Sequence, residues 1–167
     1  MGSYFVFTIF YNAYLTLFES SNYYPDFFTH LVAMQSELVI ESVGYTSKIM
    51  IHPLEPSLQL YINDVFLARI IEGCNSISII ILFTSFILSF FAKLKVTLLY
   101  IFAGAVLIYI ANILRIVILA IGIYEYPQYT SFLHTIVFPL IIYGTVFLLW
   151  IFWVRLFSKI TADEKAV

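Results

Sequence analysis

From Val96 to Tyr124 the chain is one long apolar run, interrupted only by Asn112 and Arg115. A bilayer core of about 30 Å is crossed by roughly 20 apolar residues of helix, so this run is long enough to span a membrane. A soluble fold would have to bury it whole, and composition argues against that. The 167 residues are 62% hydrophobic and only 11% charged, with a mean hydropathy of +0.98. One compact core of this size cannot hide that much apolar surface from water. Net charge is -2 and Lys and Arg form no block, which argues against nucleic acid as a partner. A single cysteine makes no internal disulfide. Cys-x-x-Cys clusters and Gly-rich phosphate loops are absent, and no His, Asp or Glu cluster has ligand spacing, so neither a metal nor a cofactor is expected. Any chemistry comes from isolated polar side chains in an apolar frame.

The run at 96–124 has three apolar companions, at 4–18, 75–92 and 134–154. The first has no charged segment ahead of it and no small-residue cleavage site before Glu19, so it reads as an uncleaved helix. Lys93 and Lys95 stop the second, and Glu125, Pro127 and Gln128 mark the turn after the third. The expected fold class is therefore an all-α polytopic membrane protein. It is a single integral membrane domain over residues 1–167, with about four transmembrane helices and an extracytoplasmic segment at 19–73. Lys93, Lys95, Arg155, Lys159 and Lys165 then share one face, against Lys48 and Arg69 on the other. By the positive-inside rule the first face is cytoplasmic, and both termini lie inside.

The outer segment divides in two. Between Phe27 and Val43, Phe28, Leu31, Val32, Met34, Leu38 and Val39 recur at helical spacing, with Pro25-Asp26 as a start and Gly44 as a stop. An amphipathic helix lying on the outer membrane surface is expected there. Lys48–Ile51 and Leu58–Ile62 are strand-like, with Pro53 and Pro56 between them and Asn63-Asp64 as a turn, which predicts a small β-ribbon leading into the second crossing.

Three polar side chains stand out. Arg115 lies nine residues before Tyr124, about 13 Å along a helix and too deep for comfortable snorkelling. A guanidinium inside a crossing is expensive and marks a functional position by default. Asn112, three residues earlier, shares its face and either orients it or ties helices together. Cys74 opens the second crossing within Glu72-Gly73-Cys74-Asn75-Ser76. On a helical wheel Cys74, Ser78, Ser85 and Ser89 form one narrow small-residue stripe, which points the cysteine into the bundle. A helix N-terminus beside the sulfur favours the thiolate, and Gly73 lets a substrate backbone approach. His134 opens the fourth crossing, whereas His30 and His52 read as surface residues. Alternating crossings bring Cys74, Arg115 and His134 to the same outer leaflet. A thiol, an imidazole and a fixed cation are the parts of cysteine-based acyl transfer: nucleophile, proton carrier and charge stabiliser.

The order Cys74, then Asn112-Ile113-Leu114-Arg115-Ile116, then His134 on successive helices resembles the exosortase/archaeosortase family of membrane-integral transpeptidases. Glu72-Gly73-Cys74-Asn75-Ser76-Ile77, and Phe138-Pro139-Leu140-Ile141-Ile142-Tyr143-Gly144 after His134, are similar to the small exosortase F subtype. The resemblance implies an enzyme of the bacterial inner membrane that cleaves C-terminal tails of exported proteins, each tail a short motif, a transmembrane helix and a basic cluster. It assigns Cys74 as the nucleophile that forms an acyl-thioester, Arg115 as proton donor or electrostatic stabiliser, and His134 as base or transition-state stabiliser, with Asn112, Glu72, Gly73 and Asn75 in support. Longer exosortases carry extra helices before the cysteine and often Cys-Ser-Gly where this chain has Cys74-Asn75-Ser76. Either an accessory membrane protein completes the enzyme, or its substrate motif differs from the usual Pro-Glu-Pro type. The competing readings are a non-catalytic assembly subunit whose Arg115 and Asn112 bind a partner helix, and a small transporter of anions, disfavoured because no repeat or broken-helix pair is present.

Overall fold

A computed structural model describes residues 2–18, 25–90 and 93–165. The expected start of the outer segment at Glu19 and the end of the second run at Ala92 fall outside them. Helix α1 covers Gly2–Phe18 and α2 covers Phe27–Ser42. Strands β1 (Ser47–Ile51), β2 (Ser57–Ile62) and β3 (Val65–Ile71) follow, then α3 (Ile77–Ser89), α4 (Leu94–Glu125) and α5 (Phe138–Lys165). Ahead of α5, a 3-10 turn at Pro127–Tyr129 and a π-helical turn at Leu133–Val137 make one helical run with it.

Two expectations are corrected here. The class is not all-α with four crossings. Among the described residues, only Leu94–Glu125 and Pro127–Ser158, 32 residues each, are long and apolar enough to cross a membrane. Tyr4–Leu17 and Ile77–Ser89 are shorter apolar helices. The 13 residues of α3 rise about 20 Å, two-thirds of a bilayer core. Helix α3 starts late because Ser76 adopts φ 63°, outside the helical region, and stops where Phe90 turns to φ -116°, ψ 57°. With two helices of spanning length, only the α4–α5 pair bears on sidedness. The second correction concerns the ribbon, which is a three-stranded antiparallel sheet in the order β1-β2-β3. Asn63 and Asp64, at φ 48° and 64°, form a two-residue hairpin turn of the kind Asn and Asp favour. They pair Ile62 with Val65 and so build β3.

Helix α2 begins and ends where its sequence signals stand. Asp26 caps it, accepting from Phe28 N at 2.9 Å, and Gly44 leaves it at φ 100°. Its packed face is Thr29, Val32, Ala33, Ser36 and Ile40. The bulkier Phe28, Met34 and Leu38 stay exposed. Small and β-branched residues let α2 lie close against α4 and the sheet.

Helix α4 is the spine and serves two cores. Its first half packs with α3 and α5 around Phe83, Ile87, Ile108, Ile142, Val146 and Trp153. Its second half joins α2 and the sheet around Ile40, Leu58, Leu60, Ile70, Ile116 and Ala120. Tyr45 Oη donates to Glu125 at 2.8 Å and Asn63 Nδ2 to Tyr124 Oη at 3.0 Å, tying the sheet to the end of α4. The Glu125 carboxylate holds the Tyr45 phenol above its ordinary pKa. Asn112 and Arg115 stand where the two cores meet.

Candidate active site

Cys74 closes the 3-10 turn Glu72–Cys74 that joins β3 to α3. It lies ahead of α3 rather than on it, so the wheel that put Cys74 in line with Ser78, Ser85 and Ser89 does not apply. Ser85 is buried, whereas Ser78 and Ser89 are exposed. What positions the cysteine is a hydrogen bond: Asn112 Nδ2 donates to the Cys74 carbonyl at 2.7 Å. Asn112 is fully buried, and the tie binds α4 to the turn before α3. Of the two roles expected for Asn112, the inter-element tie is the one present.

Arg115, one helical turn further on, is 4% exposed. Its guanidinium carbon sits 3.8 Å from the centre of the Phe138 ring, a cation–π contact of the strong, desolvated kind. The Nε of Arg115 and the Oδ1 of Asn112 are buried and, among the described residues, make no hydrogen bond. An unpaired buried polar group costs about 1–3 kcal/mol, more when charged, and such costs persist where function holds them.

His134 lies in the π-helical turn at Leu133–Val137 and is exposed. Its ring centre is 6.1 Å from that of Phe138. Phe138 thus lies near both the imidazole and the guanidinium. Cys74 and His134 line one small cavity of 40 Å³, walled by Leu60, Ile70, Ile116 and Phe138. Water needs roughly 10–15 Å³ of such space, so the cavity admits a few waters or one carbonyl-sized group. A longer chain has to lie along its rim. Among the described residues no hydrogen bond joins the thiol to His134 or to Arg115: Cys74 and His134 share the cavity, Arg115 adjoins it through Phe138, and the three do not form a closed triad.

Arg69 on β3 also lines this cavity and pairs with Glu55. Sequence reasoning counted Arg69 only as an outer-face charge. The signal that finds it is the Asn63-Asp64 turn, since a hairpin there implies a third strand ending at the cysteine. The supporting residues divide. Asn75 is 1% exposed and sits in a polar cluster with Asp26, Thr29 and Tyr11. Glu72 and Gly73 instead line a separate 310 Å³ groove between α1 and α3. No atom lies within 4 Å of where a Gly73 Cβ would stand, so that position is open. Among the described residues no three His, Cys, Asp or Glu side chains gather as a metal site would require.

No protein-family model, curated protein or solved structure matches this chain. The likeness to exosortases therefore rests on the motif residues themselves.

Proposed function

We propose that the chain is a membrane-embedded cysteine transpeptidase or processing protease of the bacterial inner membrane. It acts at the outer face on C-terminal tails of exported proteins. The observation that supports this best is the shared cavity: a thiol and an imidazole line it, and a buried guanidinium with a spare N–H stacks on Phe138, which lines it too.

The reaction assigns each group a task. Cys74 loses its proton to His134 and attacks the scissile carbonyl. Arg115, a guanidinium that stays charged at any working pH, stabilises the oxyanion. The C–N bond breaks, His134 returns the proton to the leaving amine, and the acyl group stays on Cys74 as a thioester. Water, an amine or a lipid head group then takes the acyl group and restores the thiol. Exposure favours this division of roles, because the buried cation is fixed while the exposed imidazole can exchange protons.

Depth agrees with it. Counting from Lys95 on α4, a bilayer core of about 30 Å at 1.5 Å per residue ends roughly 20 residues on, at Arg115. The same count back from Arg155 reaches Thr135, beside His134. The rest of α4 is covered by α2 and the sheet, so Arg115 belongs near the outer boundary and not 13 Å inside it. Lys93, Lys95 and Arg155 then mark the cytoplasmic face. A tail held by its own helix and basic cluster presents its motif at this height. The assembly-subunit alternative is weaker: Asn112 and Arg115 are 0% and 4% exposed, buried among this chain's own elements and away from the surface that an outside helix would meet.

The test compares wild-type cells with Cys74→Ala cells by mass spectrometry of membrane and secreted proteins. Tailed proteins are expected to accumulate uncleaved only in the variant. An unchanged set, with Arg115→Ala still disturbing a membrane complex, would instead make the chain an assembly subunit.

A further inference from the structure

Behind the turn that carries Cys74, on the side away from the cavity, lies a buried polar cluster. Asp26 and Thr29 of α2 are 0% exposed. Asn75, the residue after Cys74, donates through Nδ2 to Asp26 Oδ1 at 3.2 Å, with Tyr11 Oη at 2.8 Å. Its Oδ1 accepts from Ile77 N at 3.1 Å, at the start of α3. Asp26 also accepts from Phe28 N, Thr29 N and Thr29 Oγ1. A capping aspartate needs only the first turn of its own helix. This one is fully buried and also binds a side chain 49 residues away. Next to Asn75, Ser76 holds φ 63°, a strained conformation for a non-glycine residue that survives only where its surroundings over-determine it. Cys74 is thus gripped from two directions. Asn112 of α4 holds its carbonyl, and Asp26 of α2 holds the residue that follows.

We infer that Asp26 is a positioning residue: through Asn75 it fixes the turn that keeps the Cys74 thiol at the cavity it shares with Arg69 and His134, next to the Phe138 ring on which Arg115 stacks. The inference rests on Cys74 being the nucleophile, and it concerns where the thiol stands rather than whether α2 folds.

Cys74 is the only cysteine, so thiol reagents report on it directly in the full chain in detergent. The measurement is the ratio of its reaction rates with an anionic and a cationic methanethiosulfonate of similar size. In the wild type the anionic reagent is expected to react about tenfold faster, the low end of what a charged cleft does to encounter rates. Arg69→Gln combined with Arg115→Gln sets the floor of the ratio. Deleting a carboxyl can by itself only favour the anionic reagent. Asp26→Ala is nevertheless expected to bring the ratio down towards that floor, because the thiol moves away from the cavity that Arg69 lines and that Arg115 adjoins through Phe138. Asp26→Asn, which keeps an acceptor oxygen, is expected to retain most of the ratio. If Asp26→Ala does not fold, Asn75→Ser removes the reach to Asp26 while keeping a cap for Ile77 N, and the same fall is expected. A folded Asp26→Ala or Asn75→Ser protein with the wild-type ratio overturns the inference, as does a wild type with no anionic preference. Failure of the functional reading is a separate result: no tails are released by the wild type, whatever the ratio.

Discussion

In the proposed reaction Arg115 stabilises the oxyanion, and two features give its substitution a sharp expectation. Its guanidinium stacks on Phe138, and its Nε–H is buried without a partner among the described residues. Lysine would keep the charge but lose the planar fork and the stacked face. Arg115→Lys is therefore expected to lower tail release by about 10²-fold or more, the usual effect of removing an oxyanion donor, with KM little changed. Release measured on a tail found in the Cys74→Ala comparison checks this, and a variant within a few-fold of wild type contradicts it. Asn112 makes a different prediction. Its bond to the Cys74 carbonyl lies in a buried junction, so Asn112→Ala should cost about 1–3 kcal/mol in thermal or denaturant unfolding. An unchanged unfolding midpoint would mean the tie contributes nothing.

At the scale of elements, α3 is held to α4 by a close approach. The Phe83 ring lies directly on Gly104, so close that an added Cβ would overlap it. Gly104→Leu is expected to part the two helices and destabilise by about 1–3 kcal/mol, as overpacking does. Phe83→Leu in the same chain should recover part of the loss, and a simple sum of the two single effects would contradict that coupling. Elements are also where the sequence was most and least legible. Asp26 and Gly44 bracket α2 because capping and left-handed exit are local physics. The turn at Asn63-Asp64 was visible for the same reason, yet β3 was not drawn from it. Strand pairing is non-local, and Val65–Ile71 is apolar enough to merge with the helix that follows. The wheel through Cys74 failed at Ser76, whose φ of 63° no periodicity reveals. Arg69 and the Asp26–Asn75 contact were hidden likewise, since both depend on β3 and α2 packing against a distant turn.

For the whole molecule, the claim is an outward-facing site at the height where two long helices leave the bilayer. In the proposed topology the opposite ends of α4 and α5, with Lys93, Lys95 and Arg155, face the cytoplasm. In a Cys74→Ala background, Tyr126→Cys should react with an impermeant maleimide in intact cells, and Lys93→Cys only after permeabilisation. The reverse pattern would invert the topology and put the site on the cytoplasmic side.

One measurement bears most directly on the nucleophile itself: whether cells contain a protein-sized adduct on this chain that neutral hydroxylamine releases. The account predicts such an adduct in the wild type, no adduct in Cys74→Ala, and at most a hydroxylamine-resistant oxyester in Cys74→Ser. An adduct that persists unchanged in Cys74→Ala would mean that Cys74 does not carry the acyl group, and the acyl-transfer reading would fail.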